Sequence, residues 1–245
     1  MTTALEAMLA NITTTPALDN AFYQEWTTRR FTIEELQAFA KNYGAWVKSF
    51  PDALAILLIT TGDLEAKTEY VKTLYSEMGY GNAEKVHSVL LNNFFNELAV
   101  QMGEGNKLDQ ASGTADLLPA TTALIQGEQA LYADREMSFG AQLALEWQAY
   151  TMLRKLYDGA RNYLGLWQDP DEFHEACEYF YAHIGATEKE HKEESLKAVK
   201  RYAVSKDAVD KMTEGYRRHL ELIANFWRGL HAETTRLKDK STVAA

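Results

Sequence analysis

The sequence predicts an all-α protein folded as a single helical domain, and three observations carry that expectation. Only four prolines occur in the 245 residues, Pro16, Pro51, Pro119 and Pro170. The intervals between them carry apolar residues at three- and four-residue spacing, the period of a half-buried helix rather than the alternation of a strand. The length fits one core, because chains divide into domains only beyond roughly 250 residues.

The elements follow in order. Thr32-Ile33-Glu34-Glu35 is a capping box, in which the threonine side chain takes the N–H of the third residue on and the glutamate reaches back. Leu36, Phe39, Ala40, Tyr43 and Val47 continue it as one apolar stripe, so a helix is expected from about Thr32 to Ser49. Pro51 should stop it, since a proline disfavours helical backbone just ahead of it. Asp63 begins the next helix, which runs through Leu74 to about Met78. Gly79-Tyr80-Gly81-Asn82 then supplies turn chemistry, and Val86, Val89, Leu90, Phe94 and Leu98 mark the helix beyond that corner. Residues 103–115, opening Gly103-Glu104-Gly105-Asn106-Lys107, read as the longest loop. The domain is expected over residues 1–235, with 236–245, ending Lys240-Ser241-Thr242-Val243-Ala244-Ala245, as a disordered tail. The sequence shows no internal repeat and no low-complexity tract.

Composition narrows the function classes. No apolar run approaches the ~18 residues of a membrane span, so no membrane partner is expected. A formal charge of −10 opposes binding to phosphate backbones, which argues against nucleic acid. Met1-Thr2-Thr3-Ala4-Leu5-Glu6 lacks the basic start and apolar core of a secretory signal, and the single cysteine, Cys177, has no intrachain partner, so a cytoplasmic location is expected. Cys177 falls in an apolar-periodic stretch and reads as core packing. A Gly-x-Ser-x-Gly elbow, a phosphate loop, a dinucleotide fingerprint and a Cys-x-x-Cys pair are all absent from the sequence.

The chemistry-bearing residues are histidines near carboxylates. Six histidines occur, His87, His174, His183, His191, His219 and His231. Carboxylate plus imidazole suits iron and manganese, and in helical bundles such ligands project inward from facing helices. The densest stretch is Tyr181-Ala182-His183-Ile184-Gly185-Ala186-Thr187-Glu188-Lys189-Glu190-His191. Glu188 and His191 lie one turn apart on one helical face. His183 lies five residues before Glu188, about 140° away around a regular helix. A single π-bulge would bring the three together, and such bulges gather at functional sites. Alternatively Gly185 ends one helix and Thr187 caps the next, with Glu190 completing a second capping box. Lys192-Glu193-Glu194-Ser195-Leu196-Lys197 reads as a solvated helical face, and His174, His219 and His231 as surface or capping residues. Glu146 sits among Leu143, Leu145, Trp147 and Leu153, where a buried carboxylate would require a metal or a cationic partner. Glu77 near a helix C-terminus opposes the helix dipole, which also suggests a special role.

Several stretches together resemble the heme-oxygenase-like diiron oxidases. They are Phe22-Tyr23-Gln24-Glu25-Trp26, Glu35-Leu36-Gln37-Ala38-Phe39-Ala40-Lys41-Asn42-Tyr43, Lys48-Ser49-Phe50-Pro51 and Asp63-Leu64-Glu65-Ala66. The likeness continues through Leu74-Tyr75-Ser76-Glu77-Met78-Gly79-Tyr80-Gly81 to His87, through Ala141-Gln142-Leu143-Ala144-Leu145-Glu146, and from Tyr179-Phe180 to His191. It covers roughly residues 15 to 200 and is greatest with the CADD-like branch, whose members form p-aminobenzoate. The resemblance implies a heme-oxygenase-like (TenA/PqqC-like) helical bundle and a homodimer. It also implies a metal centre of Glu77, His87, Glu146, His183, Glu188 and His191 holding two Fe(II) ions, with manganese as a further candidate and O₂ as co-substrate. The substrate expected is a small amine- or carboxylate-bearing molecule.

Two departures from the family pattern stand out. The last three ligands are spaced five then three here, against four then three in the family, and an aspartate is more usual at Glu188. In the CADD-like branch the ring of the product is thought to come from the protein's own tyrosine; Tyr23 matches it, and Tyr43 matches a pocket tyrosine. The branch's amino-donor lysine falls on Leu156, whereas Lys155 would point about 100° away on a helix. An exogenous substrate is therefore the expectation. Two other classes remain: a metal-free enzyme like those that act in thiamin and pyrroloquinoline-quinone metabolism, and a noncatalytic interaction module, suggested by the death-domain association for which the branch is named.

Overall fold

A computed structural model describes residues 9–105, 108, 116–184 and 186–244, with side chains throughout except at 183–191, 194 and 241–244. Ten α-helices are described. The first, α1 (Ala21–Thr28), is capped by Asn20, whose side chain accepts from the Tyr23 amide. The Thr32–Glu35 capping box opens α2 (Ile33–Thr60): Glu35 N–H donates to Thr32 Oγ1 at 3.3 Å, and Thr32 N–H to Glu35 Oε2 at 2.8 Å.

The expected stop before Pro51 is corrected by the structure, since α2 continues through Pro51 to Thr60. A proline inside a helix removes one hydrogen bond and costs about 3 kcal/mol or more. Beyond it Ala53, Leu54 and Leu57 are all fully buried. Two leucines taken from water return about 1.5–3 kcal/mol each, enough to hold the second half of the helix in place.

Asp63 caps α3 (Leu64–Glu77), accepting from the Ala66 amide at 2.6 Å. The corner that follows is built from three successive left-handed residues, Gly79 at φ +64°, Tyr80 at +55° and Gly81 at +85°. A Cβ on Gly79 would come within 2.5 Å of the Lys85 carbonyl carbon, so glycine is required there by conformation and by space. The turn closes quickly into α4 (His87–Gln101). In this way nine intervening residues bring the last residue of α3, Glu77, back beside the first residue of α4, His87.

After the loop, of which Gly103 and Gly105 adopt positive φ, come α5 (Pro119–Ala133) and α6 (Met137–Ala160). Most of α6 is buried on every side, which makes it the central helix of the bundle. Beyond a 3-10 stretch at Arg161–Leu166 lie α7 (Pro170–Ala176), α8 (Glu178–Ile184), α9 (Ala186–Tyr202) and α10 (Lys206–Ala244). The α6–α10 crossing is close enough that a Cβ on Gly140 would lie 1.8 Å from the Met212 carbonyl oxygen, and one on Gly215 2.1 Å from that of Met137.

An aromatic cluster fills the centre. Trp26, Phe22, Phe39, Tyr43 and Trp227 are all buried, and the Trp26 indole N–H donates to the Leu156 carbonyl at 2.8 Å, tying α1 to α6. Cys177 is also buried, and burial pushes its thiol pKa up. The stretch 236–245, read from the sequence as a tail, is helical as far as Ala244. The run from Lys192 is not uniformly solvated: Lys192 Nζ sits 3.8 Å over the Trp147 ring, and Ser195 is buried. No helix among the described residues is long and apolar enough to cross a membrane.

Candidate metal centre

Four helices close around a cavity of about 60 Å³, more than the ~10–15 Å³ one water needs. Its walls are mostly apolar, with Val47, Phe50, Leu145, Met152 and Leu153 among them. The polar exceptions are Thr73 and Glu77 of α3, Glu146 of α6, Tyr43 of α2 and Tyr179 of α8. Three residues singled out from the sequence, Glu77, Glu146 and Tyr43, therefore share one interior space.

Glu77 and His87 approach each other across the corner, with Glu77 Oε2 2.8 Å from His87 Nδ1, and both are buried. Glu146 is also buried; its Oε1 accepts from Gln142 Nε2 at 2.6 Å. Gln142 Oε1 in turn accepts from the Tyr132 hydroxyl at 2.6 Å, so a relay of fixed dipoles orients the Glu146 carboxylate. Burial pushes the Tyr132 phenol well up, and the charges of Glu128 and Glu146 add to that, so Tyr132 stays a donor.

Tyr43 and Tyr179 hydrogen-bond hydroxyl to hydroxyl at 2.8 Å, and the Tyr179 ring meets the His87 ring edge-on at 6.4 Å. Burial raises the Tyr43 phenol; the Tyr179 hydroxyl pulls it partly back and the Glu77 charge raises it further. Sequence reasoning missed Tyr179. The available signal was its position four residues before His183, which puts both on one face of a helix. Lys85 fastens this corner to the start of α8, with its Nζ 2.7 Å from both carboxylate oxygens of Glu178.

Tyr23 is not brought to the cavity wall. Its ring is buried against Trp227, with centroids 4.7 Å apart, and Trp227 in turn lies 5.7 Å from Tyr43. Burial pushes the Tyr23 phenol well up, Tyr43 adds to this, and the Trp227 N–H opposes it. Lys155 does reach Tyr23: its Nζ stands 5.5 Å from the centre of the Tyr23 ring, while Leu156 is wholly buried.

The side chains of His183, Glu188 and His191 lie outside the described residues, as does Gly185. Among the described residues, no three histidine, cysteine or carboxylate side chains stand close enough to hold a metal ion by themselves. Glu77, His87 and Glu146 are the described half of the expected donor set. Buried carboxylate and imidazole donors beside an apolar cavity are chemically suited to iron or manganese.

The remaining histidines separate. His174 is exposed and lies against Tyr181, and His231 is partly exposed, 3.5 Å from Glu25. His219 corrects the sequence reading. It is fully buried between Glu128 and the Ala141 carbonyl, a placement that no local spacing betrays because both partners come from other helices.

The comparisons agree with this architecture. A sequence model of a family described as an iron-containing redox enzyme matches residues 37–233, and the chain belongs to that family. Its fold is heme-oxygenase-like. A 4-aminobenzoate synthase of Chlamydia pneumoniae is 25% identical over 226 residues, covering 92% of this chain and 94% of that one. The enzyme of the same name from Chlamydia muridarum is 38% identical over 66 residues, but the match spans 26% of this chain and 28% of that one. The crystal structure of a CADD-like protein of unknown function from Nostoc punctiforme superposes with a TM-score of 0.68 at 17% identity, covering 95% of this chain and 96% of that one.

Proposed function

We propose that this chain is a non-heme diiron oxidoreductase that uses O₂ to oxidise a small amine- or carboxylate-bearing molecule. The observation that carries the reading is that Glu77 and Glu146 line one cavity and that His87 is paired with Glu77 beside it, within a family of iron-containing redox enzymes. His183, Glu188 and His191 would complete the donor set from α8 and α9. When bound, the metal pair supplies reducing electrons and a binding place for O₂.

The chain's own residues do the rest. Glu77 and His87 are presented by a rigid three-residue left-handed corner, and Glu146 is held in orientation by Gln142 and Tyr132. The apolar wall of Val47, Phe50, Leu145, Met152 and Leu153 excludes water. Tyr43 and Tyr179 are hydrogen-bonded hydroxyl to hydroxyl, and either oxygen can be the donor.

The reading has the substrate entering from outside, since Leu156 stands where the branch's lysine is expected. A second reading, in which Tyr23 is itself consumed, is favoured by one observation: Lys155 Nζ lies over the Tyr23 ring. Intact-protein mass spectrometry before and after one turnover of iron-loaded protein separates the two. Unchanged mass, with O₂ uptake dependent on an added metabolite, supports the external substrate. Mass loss at Tyr23 with p-aminobenzoate released overturns it.

A further inference from the structure

Behind the cavity wall, four helices meet at a polar node that the proposed reaction does not use. Glu128 of α5 and His219 of α10 are both 0% exposed. His219 Nε2 lies 3.0 Å from Glu128 Oε1, and Nδ1 lies 2.6 Å from the Ala141 carbonyl oxygen of α6. The Trp46 indole N–H of α2 donates to Glu128 Oε2 at 3.3 Å. A carbonyl only accepts, so Nδ1 carries a hydrogen. The Nε2–Oε1 contact then occupies the remaining ring nitrogen, so both nitrogens of His219 have partners. Full pairing is what allows two ionisable groups in a dry core.

Trp46 is the member that also lines the cavity, together with Glu77 and Glu146. Its ring is braced edge-on by Tyr43 at 5.9 Å and at a tilt by Phe226 at 5.5 Å. Indole has a single polar atom. While Glu128 holds that atom, the face turned to the cavity is carbon alone. Rotation of the ring would carry the N–H to the cavity side, where the acceptors are the carboxylates of Glu77 and Glu146.

We propose that Glu128 and His219 are positioning residues for the metal centre: they hold the Trp46 donor away from the cavity, so that it does not compete with metal for the Glu77 and Glu146 carboxylates and the facing wall stays apolar. This rests on the reading of the cavity as a metal site, and the experiment tests the two separately. Indole N–H signals of the metal-free full chain are recorded by ¹⁵N NMR, with Trp46 assigned through W46F, and Fe(II) is titrated anaerobically into each variant.

E128A should speed exchange of the Trp46 N–H by about tenfold, the loss of one buried hydrogen bond. It should weaken Fe(II) binding by a similar factor, about tenfold, as the freed donor competes for the carboxylates. E128Q, whose amide oxygen can accept the same N–H, should stay within about threefold of wild type on both measures. The double variant E128A/W46F should recover most of the Fe(II) affinity, because phenylalanine has no donor. Should E128A fail to fold, E128M/H219F, which replaces the pair with apolar side chains, carries the same expectations. A variant that loses stability while keeping wild-type Fe(II) affinity, or a double variant that recovers nothing, would overturn the proposal. Wild-type chain that binds no Fe(II) would overturn the metal reading, and this proposal with it.

Discussion

Gly79→Ala acts on the site from outside it. Gly79 sits at φ +64°, where a residue with a Cβ loses about 1–2 kcal/mol. The added Cβ would also lie 2.5 Å from the Lys85 carbonyl carbon and 2.7 Å from the Val86 nitrogen. Those are backbone atoms that cannot rotate aside, so overpacking adds about 1–3 kcal/mol. The sum, roughly 2–5 kcal/mol, corresponds to a Tm lower by roughly 4–20 °C in a chain of this size. Gly81→Ala is the internal control. It also has positive φ, at +85°, but its Cβ would meet only the Tyr75 side chain at 3.6 Å. Urea unfolding of both variants, extrapolated linearly to water, isolates the clash. Because Lys85 and Val86 lead directly into His87, Gly79→Ala should also weaken Fe(II) binding more than Gly81→Ala does. Equal stabilities for the two variants would refute the reasoning.

Three further outcomes follow from the same geometry. Burial raises the phenols of Tyr23, Tyr43, Tyr70, Tyr132 and Tyr163, so each stays neutral in the fold while ionising near pH 10 once unfolded. Their contribution to stability is therefore full below about pH 10 and is lost as pH rises from there toward the folded values. Absorbance at 295 nm should show the exposed tyrosines titrating first and the buried set only with unfolding; all thirteen titrating together in the folded chain would contradict this. Pro51→Ala should stabilise by about 1–3 kcal/mol in urea, because a helix that continues past residue 51 regains its missing hydrogen bond; destabilisation would show that the proline is required there. Arg201→Ala removes ion pairs to Asp63 and Glu65 but should cost under about 1 kcal/mol, since the Arg201 head is partly exposed; a larger loss would mean that these pairs anchor α9.

Local signals in the sequence were strong where one short stretch decides the outcome. The Thr32 capping box, the Asp63 cap and the Gly79–Gly81 corner each need only neighbouring residues, and the corner alone brings Glu77 to His87. Pro51 was misread because its local penalty is outweighed by Leu54 and Leu57, whose burial depends on helices distant in sequence. The Glu128–His219–Trp46 node was illegible for the same reason: its members lie 82 and 91 residues apart, and no spacing rule links them. Tyr179 lay between these extremes. Its place on the His183 face was readable, but its hydrogen bond to Tyr43 spans 136 residues. Lys155 shows the limit of helical-wheel reasoning, since a long side chain reaches a ring that its Cα direction would not suggest.

In the proposed metal centre Glu77, His87 and Glu146 supply half of the donors, and His183, Glu188 and His191 supply the rest. Anaerobic reconstitution with Fe(II), followed by elemental analysis of the desalted chain, tests it most directly. Close to two irons per chain are expected, as carboxylate-rich helical bundles of this kind hold. Glu146→Ala should abolish most of that binding, while the surface variant Glu172→Ala should retain it. Wild-type chain that emerges without iron, or a Glu146→Ala variant that binds as much as wild type, would contradict it.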